Sequence, residues 1–250
     1  MIIHTFGNPS APVFVILHPP GLSGDYCYQL IRPYLKEDYC IIAPDLRGHG
    51  KDETDYISPA EDGKTLLRYL KEKKNLNIRL LFGASIGAAA ALRVIQDPEL
   101  MIDHVYLDST PLISRSGVKQ SVLTAAILKE KRKRHRSATS LKDVNLEKLY
   151  GKNLAPIISK SFQHYSEKSL RNISAAFFSN NDIRTFQPDL QKRMVMEWGE
   201  DDEVFKQSRR NIKKKFPYAR IRIRKGEGHC SYMAKYIGSY IKDVRNSMNS

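Results

Sequence analysis

Five short, mostly apolar runs punctuate the chain: Val13–Leu17 (VFVIL), Tyr39–Ala43 (YCIIA), Ile78–Phe82 (IRLLF), Val105–Leu107 and Met194–Trp198. Each is closed by turn-forming residues, which is the pattern of a strand buried on both faces. Helical stretches separate the runs, and that alternation predicts βαβ units around a mostly parallel sheet. A sixth run, Ile221–Ile223 within RIRIR, alternates strictly and suits a half-exposed strand near one edge.

The alternation breaks between Thr110 and Pro188, where the chain is helical in flavour, basic and poor in strand signals. This predicts a core made of 1–109 and 189–250, interrupted by a helical insertion over 110–188. The tail after Lys242 (DVRNSMNS) is expected to fray.

The 250 residues, 41% of them hydrophobic, suffice for one sizeable core. No apolar run approaches the roughly 18 residues of a membrane span, and MIIHTFGNPS lacks the form of a signal peptide. Cys27, Cys40 and Cys230 are few, odd in number and far apart; they match neither a metal spacing nor a disulfide framework, and a reducing cytoplasm is the expectation.

The net charge of +14 is unevenly spread. It is −3 over 1–109, +9 over 110–190 and +8 over 191–250, with the densest run at Lys129–Arg136 (KEKRKRHR). Such a run reads either as a solvated helix face or as a field that attracts anionic substrates. No aromatic residue interleaves with it and no nucleic-acid signature is present, so nucleic acid is not an expected partner.

The candidate chemistry begins at Gly83-Ala84-Ser85-Ile86-Gly87, a G-x-S-x-G pattern. A buried-strand run ends at Phe82 and an alanine-rich helix (GAAAALRVI) starts near Gly87. A sharp strand-to-helix turn there would hold the serine in a strained conformation with its hydroxyl at the end of the sheet. The flanking glycines remove side chains that would clash, and the N–H of Ile86 faces a developing oxyanion beside the helix N-terminus.

On these residues the chain resembles the α/β-hydrolase fold family over nearly its whole length. The resemblance implies an open, mostly parallel sheet flanked by helices, loops at the strand C-terminal ends that carry the chemistry, and the order nucleophile, acid, histidine. It also identifies 110–188 with the family's variable cap. His229, in Gly226-Glu227-Gly228-His229, resembles the family's histidine loop, with His18 and His49 as the other histidines on the same side of the sheet. The acid belongs after the next-to-last strand, where Trp198-Gly199-Glu200-Asp201-Asp202 supplies Asp202; Asp201 and Asp108 are the alternatives.

One loop departs from the family pattern. The first core strand is usually followed by His-Gly-x, whose last residue donates an N–H, but here the loop reads His18-Pro19-Pro20-Gly21-Leu22. Pro20 has no N–H to give, so Gly21 or Leu22 is expected as the second oxyanion donor. The loop Asp45-Leu46-Arg47-Gly48-His49-Gly50 reads as structural, with Arg47 pinning loops near the site.

The residues thus predict a serine hydrolase of the carboxylesterase or thioesterase kind that acts on a small-molecule ester, an anionic one if the basic run faces the site. No metal or cofactor is implied. Acyl transfer or lyase chemistry on the same triad and a non-catalytic ligand-binding relative are the alternatives.

Overall fold

The computed structural model describes residues 1–73, 76–114, 116–136 and 144–248. Seven strands form one sheet in the order β1-β3-β2-β4-β5-β6-β7. They are β1 (Ile2–Gly7), β2 (Val13–Leu17), β3 (Cys40–Asp45), β4 (Ile78–Ala84), β5 (Ile102–Asp108), β6 (Met194–Gly199) and β7 (Arg220–Arg224). From β2 to β7 every pairing is parallel, and β1 alone runs antiparallel, against β3. RIRIR does lie at an edge, as β7.

β1 went unpredicted because IIHTFG carries neither an unbroken apolar run nor clean alternation. As the opposite edge strand its residues are half-buried at most.

β4 shows how the sheet is buried on both faces. Ile78 and Leu81 join one apolar cluster, while Leu80 and Phe82 join the other. The first cluster packs under α2 (Pro59–Glu72), α3 (Ile86–Val94) and α8 (Glu203–Lys215). The second packs under α1 (Gly24–Ile31), α9 (Ser231–Lys235) and α10 (Ile237–Ser247). The expectation that the tail frays is corrected here. α10 runs to Ser247, and Val244 and Met248 are buried in the second cluster, because the tail's apolar residues recur at helical spacing on one face.

Between β5 and β6 the chain passes through α4 (Gly117–Arg136), α5 (Val144–His164), α6 (Glu167–Ala176) and α7 (Pro188–Lys192), with no strand among the described residues. Residues 137–143 of that stretch lie outside those described. α5 is interrupted at Gly151, whose φ of 73° places it in the left-handed region.

Candidate functional site

Ser85 stands between β4 and α3 at φ 54°, ψ −117°, a backbone conformation that a residue with a side chain adopts only when its surroundings compel it. Three contacts compel it. The Ser85 N–H donates to the Asp108 carbonyl at 2.9 Å. A Cβ on Gly87 would lie 2.3 Å from the Leu17 carbonyl oxygen, and one on Gly83 would lie 2.7 Å from Ala88 Cα. Both positions therefore demand glycine, and Ala88–Ala91 lie fully buried where α3 meets the sheet. Ile86 opens α3, so its N–H is among those a helix leaves without an internal partner.

His229 Nε2 lies 2.8 Å from Ser85 Oγ, and His229 Nδ1 lies 2.9 Å from Asp202 Oδ2. A carboxylate only accepts, so Nδ1 carries the proton that it donates to Asp202. Nε2 of the neutral ring is then left to accept the serine O–H. Burial of the imidazole opposes its charge, but the facing Asp202 carboxylate and their hydrogen bond outweigh it, and the His229 pKa is raised above the ordinary 6.5.

Two loops must meet for this contact. A Cβ on Gly199 would fall 2.1 Å from the Glu227 carbonyl oxygen, so the glycine lets the acid loop lie flat against the histidine loop. The Asp201 N–H fastens the two by donating to the same carbonyl at 2.9 Å. Asp202 itself is buried and caps α8, its Oδ1 accepting the Val204 N–H at 2.8 Å.

The other candidates have different partners. Asp201 is exposed. Asp108 is buried and accepts from Tyr240 Oη at 3.0 Å and Ser109 Oγ at 2.9 Å; burial, with the charge of Glu197, pushes its carboxyl up to about 7. His18 spends both ring nitrogens on backbone: Nε2 accepts the Leu46 N–H at 3.0 Å, so Nδ1 donates to the Pro19 carbonyl at 2.8 Å. His49 is buried, with Nδ1 against the Arg47 carbonyl, and burial pushes it down to about 3. Arg47 reaches Thr65 of α2 at 3.0 Å, so it anchors its loop to that helix.

In the loop after β2, the Gly21 N–H donates to Tyr165 Oη at 2.7 Å, a partner from α5's end that sequence reading did not foresee. The Leu22 N–H makes a longer 3.4 Å contact with the Pro19 carbonyl. Leu22, not Gly21, lines the cavity over Ser85.

That cavity has a volume of about 800 Å³. α4, α5 and α6 roof it with Val122, Ile127, Leu154, Ile158, Phe162 and Ile173, among others, and Phe177 follows at the end of α6. Phe177 sits with its ring 5.9 Å from that of His229. Lys119, Glu203 and Gln207 also border the cavity, all three exposed.

Among the described residues His4, Asp25 and Asp45 bring possible metal ligands within 4.8 Å of one another. Asp45 already accepts the Gly24 and Lys51 N–H groups, and the cluster shares no residue with Ser85, His229 and Asp202. No described helix is long and apolar enough to cross a membrane.

Comparison with known proteins places the fold. The structure of an esterase from Exiguobacterium antarcticum superposes with a TM-score of 0.73 at 16% identity, over 99% of this chain and 96% of that one. A hydrolase from Pseudomonas aeruginosa PA01 gives 0.73 at 14% identity, over 99% and 94%. MenH from S. aureus gives 0.70 at 19%, over 99% and 98%. At these identities the likeness is one of fold. No curated protein matches the sequence. The alpha/beta hydrolase family profile, however, matches residues 14–236, nearly the whole chain with its strands β2 to β7, and the chain belongs to that family.

Proposed function

We propose that the protein is a serine hydrolase that cleaves a carboxylic ester through an acyl-enzyme on Ser85. The observation that carries this reading is the continuous hydrogen-bond chain from Ser85 Oγ through His229 to Asp202, at 2.8 and 2.9 Å, on a serine held at positive φ. In the first half-reaction Ser85 Oγ attacks the carbonyl carbon as its proton passes to His229 Nε2. Asp202 faces the imidazolium that forms. Collapse of the tetrahedral adduct breaks the bond to the leaving alcohol, which takes the proton from Nε2. In the second half, water loses a proton to Nε2, attacks the acyl carbon and releases the acid, and Ser85 regains its proton. A thioester would follow the same course with a thiol leaving.

The oxyanion would be met by the Ile86 N–H and by the Leu22 N–H. Leu22 is the better of the two loop donors because its present contact is long, whereas Gly21 is committed to Tyr165 at 2.7 Å. Losing one such donor costs roughly 3 kcal/mol of barrier, so a weakly aimed Leu22 implies a modest turnover number. Residues 110–188 act as a cap in this reading, because their helices supply the roof of the cavity above Ser85.

The test is covalent. A fluorophosphonate probe should label the folded protein stoichiometrically at Ser85, and Ser85→Ala should abolish both labelling and hydrolysis of p-nitrophenyl butyrate while leaving the thermal transition in place. Labelling that persists in Ser85→Ala would remove the nucleophile.

A further inference from the structure

Behind the cavity over Ser85 lies a second one of about 270 Å³. Leu22, Leu154, Met233 and Ala234 line both, so the two spaces share a wall made of these residues. The second space is walled by Phe14, Ile16 and Phe82 of the sheet and by Cys27 and Ile31 of α1. Its outer end reaches Tyr34, a 42% exposed side chain. Asn153 and Lys235 border that same end, so the chamber opens towards solvent there while its inner walls are apolar.

We propose that the substrate carries a long unbranched aliphatic chain, which runs from Ser85 across the larger cavity, passes between Leu154 and Met233, and ends in the chamber against Ile31. This rests on the reading of Ser85 as the nucleophile of an ester hydrolase.

Three observations support it. First, the charged and amide side chains of the larger cavity, Lys119, Glu203 and Gln207, are all exposed at its rim on α4 and α8. A sugar or peptide placed deeper would lose its hydrogen bonds to water and find few in return, whereas a hydrocarbon loses nothing. Second, the partition is made of flexible material. Met is unbranched, with three rotatable bonds, and can swing aside for a chain of methylenes. Third, the chamber is near the chemistry in the fold: Met233 stands four residues after His229 on α9, and Leu22 is the loop residue offered above as oxyanion donor.

Substrates with the chain on either side of the ester test it. p-Nitrophenyl butyrate and laurate lengthen the acyl side, and ethyl and dodecyl acetate the alcohol side. Burial of one methylene is worth up to about fourfold in kcat/KM, so the series on the side that enters the chamber should climb well over tenfold. Ile31→Phe, which fills the far end, should lower kcat/KM for that long ester at least about tenfold more than for its short partner. Met233→Ala, which opens the partition, should raise the ratio of palmitate to laurate turnover severalfold.

A second measurement does not need catalysis. Ser85→Ala should bind cis-parinaric acid, an unbranched C18 polyene, with a rise in its fluorescence, and adding Ile31→Phe should weaken that binding at least tenfold. If no ester is cleaved and Ser85 resists fluorophosphonate, yet parinaric acid binds and responds to Ile31→Phe, the hydrolase reading falls and the chamber stands. If short esters are cleaved while long ones are not, or if Ile31→Phe affects all chain lengths and parinaric acid alike or not at all, the chamber is no part of the site and the proposal is overturned.

Discussion

A Cβ on Gly87, at the turn after β4, would lie 2.3 Å from a backbone carbonyl oxygen; a Cβ on Gly117, at the start of α4, would meet nothing within 4 Å. The two glycines mark two ways of building one site. At the strand ends, positions are fixed by backbone against backbone, so the residue type is dictated and appears in the sequence as a motif. In the helices over 110–188 the site is made by side-chain volume. Many combinations of Val, Leu, Ile and Phe enclose the same space, and no motif is required. In the proposed reading the chemistry thus sits on the rigid side of the cavity, and selectivity for the substrate on the side that can vary.

Removal of the acid should have the largest effect. Asp202→Asn is expected to lower kcat by about 10⁴, because the amide favours the tautomer that turns the wrong nitrogen to Ser85. Exposed Asp201→Asn should change kcat less than twofold. Asp108→Asn tests the same distinction in the interior: its carboxyl faces Tyr240 and Ser109, so the variant should keep far more activity than Asp202→Asn. Single-turnover kinetics on a p-nitrophenyl ester would measure all three, and an Asp108→Asn loss equal to that of Asp202→Asn would reassign the acid.

This asymmetry explains what could be read from the chain. The candidate residues Ser85, His229 and Asp202 were legible because Gly83, Gly87 and Gly199 stand beside them for steric reasons, and the core strands were legible because burial on two faces leaves a mostly apolar run. β1 was not, since an edge strand half in water needs no such run. The helical tail escaped notice because polar residues dilute the face that buries Val244 and Met248. The bond from Tyr165 to the Gly21 N–H joins residues 144 positions apart, and nothing local to either announces it. The apolar cavity was equally hidden: the charge of 110–190 drew attention to Lys129–Arg136, while the lining residues read as ordinary helix core.

Gly87→Ala and Gly117→Ala put the comparison on a stability scale. Gly87→Ala forces a backbone shift at the turn and should destabilise by about 3 kcal/mol or more, read from the urea midpoint. Gly117→Ala should be neutral or stabilise by about 0.5–1 kcal/mol, since the residue is helical, without positive φ and unobstructed. Equal losses would mean that α4 is as tightly specified as the elbow.

A smaller effect, but one specific to the site, lies in pH. His229 must be neutral at Nε2 to accept the Ser85 proton, and its pKa is raised, so activity should be lost as pH falls through a midpoint above 6.5. Of the two groups that raise it, Asp202 is the larger and Asp108 the lesser. Asp202→Asn should therefore move the midpoint of the residual activity down by more than Asp108→Asn does. If neither substitution moves it, the titrating group is not His229.

The smallest effect concerns charge, and it separates the outside of the helical stretch from its inside. Lys131 donates to the Tyr165 carbonyl and Arg132 pairs with Glu167 at 3.3 Å, so both serve contacts between the helices; the side chains at 133–136 lie outside those described. Among the described residues lining the larger cavity Lys119 is the only Lys or Arg, with Nζ 3.2 Å from Gln207 Oε1 at the exposed rim. A unit charge near 4 Å in water is worth about 1 kcal/mol and is screened over about 10 Å at 0.1 M salt. Lys119→Ala should thus reduce kcat/KM for an ester bearing a carboxylate by at most about fivefold at low salt, leave a neutral ester of the same length within about 1.5-fold, and lose its effect at high salt. Arg132→Ala should not discriminate between the two esters at any salt concentration. Selective loss in Arg132→Ala rather than Lys119→Ala would show that the basic face of α4 steers anionic substrates from outside the cavity. It would restore charge, alongside apolar volume, as a determinant of what this hydrolase accepts.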